Sequence, residues 1–170
     1  MRDTPVIEGA TDASGLRVGL VVSAYHRAVT AGLCDGALEA LRAAGARSAG
    51  TEGAGSATVI EVPGAFEIPL AARRAAESGN FDAVVCLGCI VRGETPHFDY
   101  LASAVAHAIA AASQATGVPM TFGVLTTNTL DEAAARAGDG PSNKGREAAL
   151  AAVQLANVLG SLPESGRTGA

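Results

Sequence analysis

The run AVVCLGCIV, Ala83–Val91, has no charged side chain and is followed at once by turn-forming residues. An apolar run of this length between turn formers is typical of a strand buried on both faces of a parallel sheet. Other short runs rich in β-branched residues alternate with longer segments of helical periodicity, and we predict strands there over 17–22, 58–62 and 120–125. The alternation predicts an α/β fold: a central, mainly parallel four-stranded sheet with helices on both faces.

The helices are predicted from buried stripes and end signals. Thr129 and Glu132 have the spacing of a capping box, and Gly45, Gly79 and Gly138 are placed to end helices. The predicted helices span 28–44, the segment after VPGAFEIP up to Gly79, 96–115, 129–138 and 143–159. We expect one domain over 1–170, with an N-terminal arm over 1–15 in which residues 6–8 add a strand pairing, a mobile loop over 45–57 and a frayed tail over 161–170.

Composition excludes several functional classes. The net charge of −5, without a cluster of basic residues, argues against a nucleic-acid partner. The N-terminus lacks the apolar core of a signal peptide, and the apolar stretches are too short to span a membrane. Three cysteines are too few for a disulfide framework, so we expect reduced thiols and a cytoplasmic protein.

His97 is the first candidate for catalysis. Thr95 and Pro96 form a helix-start signal, a hydroxyl N-cap followed by proline at the first helical position, which places His97 in the first turn after a strand. Free backbone N–H groups and the helix dipole at such a place favour an anion such as phosphate and a neutral imidazole. His97 is therefore a candidate general acid/base at the carboxyl edge of the sheet, and the alternative is a surface histidine in an ordinary first turn.

Other segments that follow strands are expected to meet around His97: SAYHR, VPGAFEIP and TTNT. Tyr25, Phe66 and Phe122 could offer flat apolar surfaces to a ring substrate, although core packing is the simpler explanation for both phenylalanines. Glu67 could supply a polar anchor. Arg92 or Arg136 could supply a cation for a phosphate.

The ordered motifs VPGAFEIP, GCIVRGETPHFDY, GVLTTNTLDEAAARAG and NKGREAA resemble the 6,7-dimethyl-8-ribityllumazine synthase family over nearly the whole chain. The resemblance implies a three-layer flavodoxin-like sandwich. It also implies condensation of 5-amino-6-(D-ribitylamino)uracil with 3,4-dihydroxy-2-butanone 4-phosphate in riboflavin biosynthesis. Phosphate and water are released, and no metal or organic cofactor takes part.

The resemblance also implies roles for individual residues. His97 would transfer protons, Phe122 would close the site from a neighbouring subunit, and Arg136 would carry the counter-charge of the phosphate. Glu94 and Thr95 would offer donors to that phosphate. The remaining substrate-binding residues implied are Tyr25, Ala65, Phe66, Glu67, Cys89, Ile90 and Val91. The implied assembly is a homopentamer, in some relatives built into an icosahedral shell, with riboflavin synthase as a candidate protein partner.

Several features carry weaker signals. Cys86 and Cys89 match C-x-x-C but lie on opposite faces of a predicted strand, which argues against a metal or redox pair. His26 stands where the family commonly has asparagine and is interpreted as a solvated loop residue, with a ribityl contact as the alternative. Lys144 is a weak candidate for phosphate attraction or helix capping, and His107 is expected to be exposed or at a subunit contact. A flavin-binding module and a non-catalytic shell protein remain as alternatives to the enzyme.

Overall fold

The computed structural model describes residues 4–47 and 53–163 and contains a four-stranded parallel sheet in the order β2-β1-β3-β4. The strands are β1 Val18–Ser23, β2 Ala57–Val62, β3 Ala83–Val91 and β4 Met120–Thr127. The two central strands, β1 and β3, are almost completely buried, and the edge strands β2 and β4 contain both buried and exposed residues. The predicted α/β class and the parallel sheet are therefore confirmed.

Helices cover both faces of this sheet. They are α1 Arg27–Ala43, α2 Ile68–Glu77, α3 His97–Thr116, α4 Leu130–Ala137 and α5 Lys144–Ser161, with a 3-10 turn, Ala65–Glu67, before α2. Because side chains alternate along a strand, Leu20 and Val85 pack towards α1, α4 and α5, whereas Val21 and Val84 pack towards α2 and α3. The result is the expected three-layer arrangement, with one hydrophobic core on each face of the sheet.

The N-terminal arm differs from the prediction. Residues 6–8 form no strand in the described part of the chain, and Val6 and Ile7 are exposed. The arm continues along α5, where the Asn157 side-chain amide donates to the carbonyl oxygens of Ala10 and Asp12 at 2.8 and 3.0 Å. Those carbonyl groups are satisfied by a side chain, so they take no part in a strand ladder.

The two segments predicted to be loose fall partly outside the described residues. In the predicted loop 45–57, residues 48–52 are not described, and the Arg47 N–H donates to the Gly55 carbonyl across the loop at 2.6 Å. In the predicted tail, residues 164–170 are not described, and Ser161 is the last residue of α5.

Helices α1 and α5 approach each other closely at glycine. A Cβ built on Gly145 would meet the backbone carbonyl of Leu33 on α1, and one built on Gly36 would meet the Asn143 side chain. The buried Asn143 caps α5 by accepting from the N–H groups of Gly145 and Arg146, and its amide donates to the Gly32 carbonyl at 3.0 Å. Asn143 therefore caps α5 and joins its start to α1.

A charged cluster ties together the starts of β1 and β3. The Arg17 guanidinium donates to both carboxylate oxygens of Asp82 at 3.0 and 2.8 Å and to the Gly79 carbonyl at 2.9 Å. The Arg17 backbone N–H also donates to Asp82, at 2.8 Å. These hydrogen bonds, above all those from the guanidinium, lower the pKa of Asp82 against a smaller opposing effect of its partial burial.

Replacing Asp82 with asparagine is expected to lower the free energy of unfolding at pH 7 by about 1 kcal/mol, because both side chains are about one-third exposed and solvent screens the pair. The pKa of Asp82 is lower in the folded chain than the unfolded value of about 3.9. Its stabilisation is therefore fully present above that value and is lost as the pH falls through the folded pKa. Denaturant unfolding from pH 7 to pH 2.5 measures this, and the difference between the wild type and Asp82→Asn should begin to shrink below about pH 4 and vanish below the folded pKa.

The matched control is Glu61→Gln, which removes a more exposed ion pair with Arg27 and should change stability less than Asp82→Asn. An equal loss in both variants at pH 7 would contradict the importance given to the Asp82 cluster.

Candidate active site

A cleft of about 910 Å³ opens at the carboxyl edge of the sheet. Its walls come from the turn after β1, the 3-10 turn before α2, the end of β3 and the first two turns of α3. Nine of the predicted site residues line it: Tyr25, Ala65, Phe66, Glu67, Cys89, Ile90, Val91, Thr95 and His97. The walls are largely apolar with a few polar groups, which is the character of a small-molecule site.

His97 is the first residue of α3 and is exposed to this cleft. The prediction of Thr95 as the N-cap is wrong by one position: Pro96 is the cap residue, with φ −68°, and no side chain caps the helix. The helical hydrogen bonds start at the Pro96 carbonyl, which accepts from the Asp99 N–H at 3.1 Å. Proline suits this place because it has no N–H to leave unsatisfied. Thr95 does not cap the helix and lines the cleft instead.

The aromatic side chains are exposed, so the prediction that Phe66 and Phe122 pack in the core is wrong. Phe66 is 65% exposed because, in the 3-10 turn, its neighbours Ala65 and Ile68 turn towards the core instead. Phe122 is 45% exposed on the edge strand β4, where no further strand covers it in the described chain. Large apolar surfaces of this kind are available to a ligand or a second subunit.

The C-x-x-C pair is structural. Cys86 packs in the core on the α2 and α3 side and Cys89 in the core on the opposite face, as predicted. Burial raises the pKa of Cys86 to about 12 and that of Cys89 to about 11, so both thiols stay protonated near neutral pH. Among the described residues, no group of His, Cys, Asp and Glu has the arrangement of a metal site.

Phe122 and Arg136 lie in a second cleft, of about 720 Å³, formed by β4, the turn after it, α4 and the start of α5. This cleft is lined by Thr126, Thr127 and Asn128 of TTNT and by Lys144, and it does not include His97. The expectation that TTNT meets His97 is therefore wrong for a cleft within one chain, and Arg136, a candidate phosphate cation, lies with TTNT. The backbone of TTNT runs beside the turn after β3, where the Arg92 N–H donates to the Thr127 carbonyl at 2.9 Å, but the second cleft itself lies between β4, α4 and α5.

The two arginine candidates for phosphate binding, Arg92 and Arg136, differ in whether a carboxylate already pairs with the guanidinium. The Arg92 guanidinium is paired with Asp99, at 3.2 and 3.1 Å, so its charge is already matched. The Arg136 guanidinium donates to the backbone carbonyl of Glu132 at 2.8 Å and is paired with no carboxylate among the described residues. Arg136 is therefore the better candidate for a phosphate, with Lys144 nearby but bonded to Glu147 at 2.8 Å.

The structure places two further residues, His26 and Tyr100, in the first cleft. His26 lines the first cleft as the N-cap of α1, half-buried, with φ 56° and its ring 4.5 Å from that of Tyr25, which corrects the interpretation as a solvated loop residue. Tyr100 also lines this cleft, and its spacing of three from His97 on α3 was the available signal.

Glu94, in the turn between β3 and α3, is exposed and lines neither cleft. His107 is exposed, as predicted, and its ring nitrogen Nδ1 lies 2.7 Å from the Ser103 carbonyl.

Comparison with known proteins gives one family. A family model described as 6,7-dimethyl-8-ribityllumazine synthase matches residues 15–160 of the 170-residue chain. Within the described residues, the match includes β1 to β4, α1 to α4, α5 up to its penultimate residue, and the residues that line both clefts. None of the helices in the described part of the chain is sufficiently long and apolar to cross a membrane.

Proposed function

The chain belongs to the 6,7-dimethyl-8-ribityllumazine synthase family, and on that premise we propose how its residues carry out the reaction. The chain is a transferase of riboflavin biosynthesis that condenses 5-amino-6-(D-ribitylamino)uracil with 3,4-dihydroxy-2-butanone 4-phosphate, and it assembles as an oligomer. The observation that carries the proposed site is the single cleft shared by His97, Tyr25, Phe66 and Glu67. This cleft would bind the pyrimidine.

In the proposed arrangement, the rings of Tyr25 and Phe66 flank the pyrimidine, and Glu67 anchors its polar substituents. Backbone groups of Cys89, Ile90 and Val91 at the end of β3 add hydrogen bonds. This arrangement suits a flat ring with polar atoms around its edge. The apolar side chains shield the two faces of the ring from water, and the backbone groups hydrogen-bond to the polar atoms at its edge.

The chemistry requires proton transfers and a bound phosphate. The amine of the pyrimidine attacks the ketone, water leaves to give an imine, phosphate is eliminated and the ring closes. His97 takes a proton and returns it in these steps, and its place at the start of α3 puts the free N–H groups of the helix beside it. The substrate supplies its own nucleophile, so the protein contributes orientation and proton transfer.

Phosphate binding is proposed to involve two subunits. Glu94 and Thr95 offer donors in the turn before α3, whereas Phe122 and Arg136 lie together in the second cleft of the same chain. A neighbouring subunit that places its second cleft over the first would close the pyrimidine site with Phe122 and supply the Arg136 cation. The site is then complete only in the oligomer.

We propose a homopentamer for this oligomer. A groove of about 550 Å³ lies between α2 and α3. It is lined by Phe66, Leu70 and four exposed alanines of α3, Ala104, Ala108, Ala111 and Ala115. Phe66 and Leu70 are 65% and 68% exposed and adjoin these alanines, and such a contiguous apolar patch suits a subunit contact. Assembly into an icosahedral shell, with riboflavin synthase as a partner, is part of the same proposal. So is a cytoplasmic location, which fits the three free cysteines.

The test is the formation of the lumazine, followed by absorbance, from the two proposed substrates above the uncatalysed background. We expect the assembled wild-type protein to accelerate the reaction, and a folded, assembled protein without acceleration would overturn the synthase assignment. Sedimentation of the same sample measures the oligomer, and a stable monomer with full activity would overturn the shared site.

Mixing defective subunits tests the shared site directly. Chains carrying His97→Ala and chains carrying Arg136→Ala, refolded together, should recover about a quarter of wild-type activity, because about one site in four receives both intact residues from different chains. The control is the double variant His97→Ala/Arg136→Ala mixed with His97→Ala, which should recover none. A mixture no more active than its two components would show that His97 and Arg136 do not act across a subunit contact.

A further inference from the structure

Arg92 lies between the two clefts and lines neither of them. It follows the last residue of β3, and its backbone N–H donates to the Thr127 carbonyl at the end of β4, at 2.9 Å. The backbone of Arg92 is therefore fixed at the place where β3 and β4 end.

The Arg92 side chain holds the first turn of α3 on two sides. The guanidinium donates to both carboxylate oxygens of Asp99, and its central carbon lies 4.3 Å from the centre of the Phe98 ring. Phe98 and Asp99 are the two residues that follow His97, and His97 itself makes no hydrogen bond in the described structure that would orient it. The direction of the His97 side chain is therefore set by the turn that Arg92 holds.

The same guanidinium reaches the turn after β4. Its Nε–H donates to the Asn128 side-chain oxygen at 3.1 Å. The Asn128 backbone N–H donates in turn to the Glu132 carboxylate at 2.9 Å, and the Glu132 carbonyl accepts from Arg136 at 2.8 Å. A continuous series of hydrogen bonds thus runs from the helix turn of His97 to Arg136.

We infer that Arg92 is a positioning residue, which fixes the first turn of α3, and with it His97, relative to the turn between β4 and α4. The inference rests on the proposed function of His97. It differs from a role for Arg92 as the phosphate cation, because the guanidinium charge is already paired with Asp99 and its Nε–H is bonded to Asn128. It also differs from a stabilising role, since the ion pair is exposed, with 44% and 60% of the two side chains accessible, and exposed pairs add little stability.

Arg92→Gln is expected to lower kcat about 10-fold while the KM for the sugar phosphate and the unfolding temperature stay close to the wild type, because the reacting groups are bound but misplaced. Asp99→Asn should give a similar loss, and the double variant should be no slower than Arg92→Gln alone, since both changes remove one interaction. Arg92→Lys should not restore kcat, because lysine keeps the charge but lacks the planar fork that bonds two partners and stacks on a ring.

The matched control is Arg74→Gln, on α2, which removes an exposed arginine paired with Glu77 and should leave kcat and KM unchanged. A raised KM for the sugar phosphate with kcat retained at saturation, or full recovery with Arg92→Lys, would overturn the inference in favour of direct phosphate binding. Wild-type kcat in Arg92→Gln, or in Asp99→Asn, would overturn it outright. An inactive wild-type protein would instead be a failure of the proposed function, so the two are distinguishable.

Discussion

His97→Ala is expected to lower kcat about 100-fold, the usual size of a general acid/base contribution, and to leave a residual rate above the uncatalysed background. The loss follows from the removal of the proton-transferring group at the start of α3. The residual rate follows because the pyrimidine amine is the nucleophile, and the cleft still orients it. Steady-state kinetics with both substrates measures the effect, and the KM for the pyrimidine should change little.

The control for this variant is His107→Ala, an exposed histidine on the same helix, which should keep the wild-type kcat. Added imidazole should restore part of the activity of His97→Ala and should leave the activity of His107→Ala unchanged. An unchanged rate in His97→Ala would contradict the catalytic role, and complete loss of substrate binding would show that His97 binds substrate more than it transfers protons.

Gly145→Ala is expected to destabilise the protein by about 3 kcal/mol, near the upper end for overpacking a close contact. A Cβ at this position would meet the Leu33 carbonyl, which is backbone and has no rotamer to adopt, so α1 and α5 must separate. For a chain of this size the unfolding temperature should fall by about 10 °C. Calorimetry or far-UV circular dichroism on heating measures the shift.

The matched control is Gly160→Ala on the same helix, where a Cβ meets no heavy atom within 4 Å. That variant should be neutral or more stable by about 0.5 kcal/mol, because alanine favours the helix over glycine. Equal unfolding temperatures for Gly145→Ala and the wild type would contradict the close packing of α1 on α5.

The secondary structure was largely predictable because its signals are local. The apolar run of β3, the capping box at Thr129 and the glycines that follow α1 and α2 each act over a few residues, and all appear where expected. The start of α3 was placed one residue early because a threonine before Pro96 has the sequence of a cap without making the hydrogen bond. The N-terminal strand was wrong because the arm is bonded to α5 through Asn157, by contacts that span 147 and 145 positions of the chain and that no local pattern shows.

The features of the site also divide into those predictable from local sequence and those set by tertiary packing. The sequence by itself determined the parallel sheet, the place of His97 at a helix start and the motifs of the family, because these depend on periodicity, turn chemistry and residue order. The tertiary structure decided which residues share a cleft: His97 lies with Tyr25, Phe66 and His26 in one, and Phe122 lies with Arg136 in another. It also decided that Arg92 is matched by Asp99 and bonded to Asn128. Such relations join residues distant in the chain, and only the packing of strands and helices around the edge strand β4 fixes them.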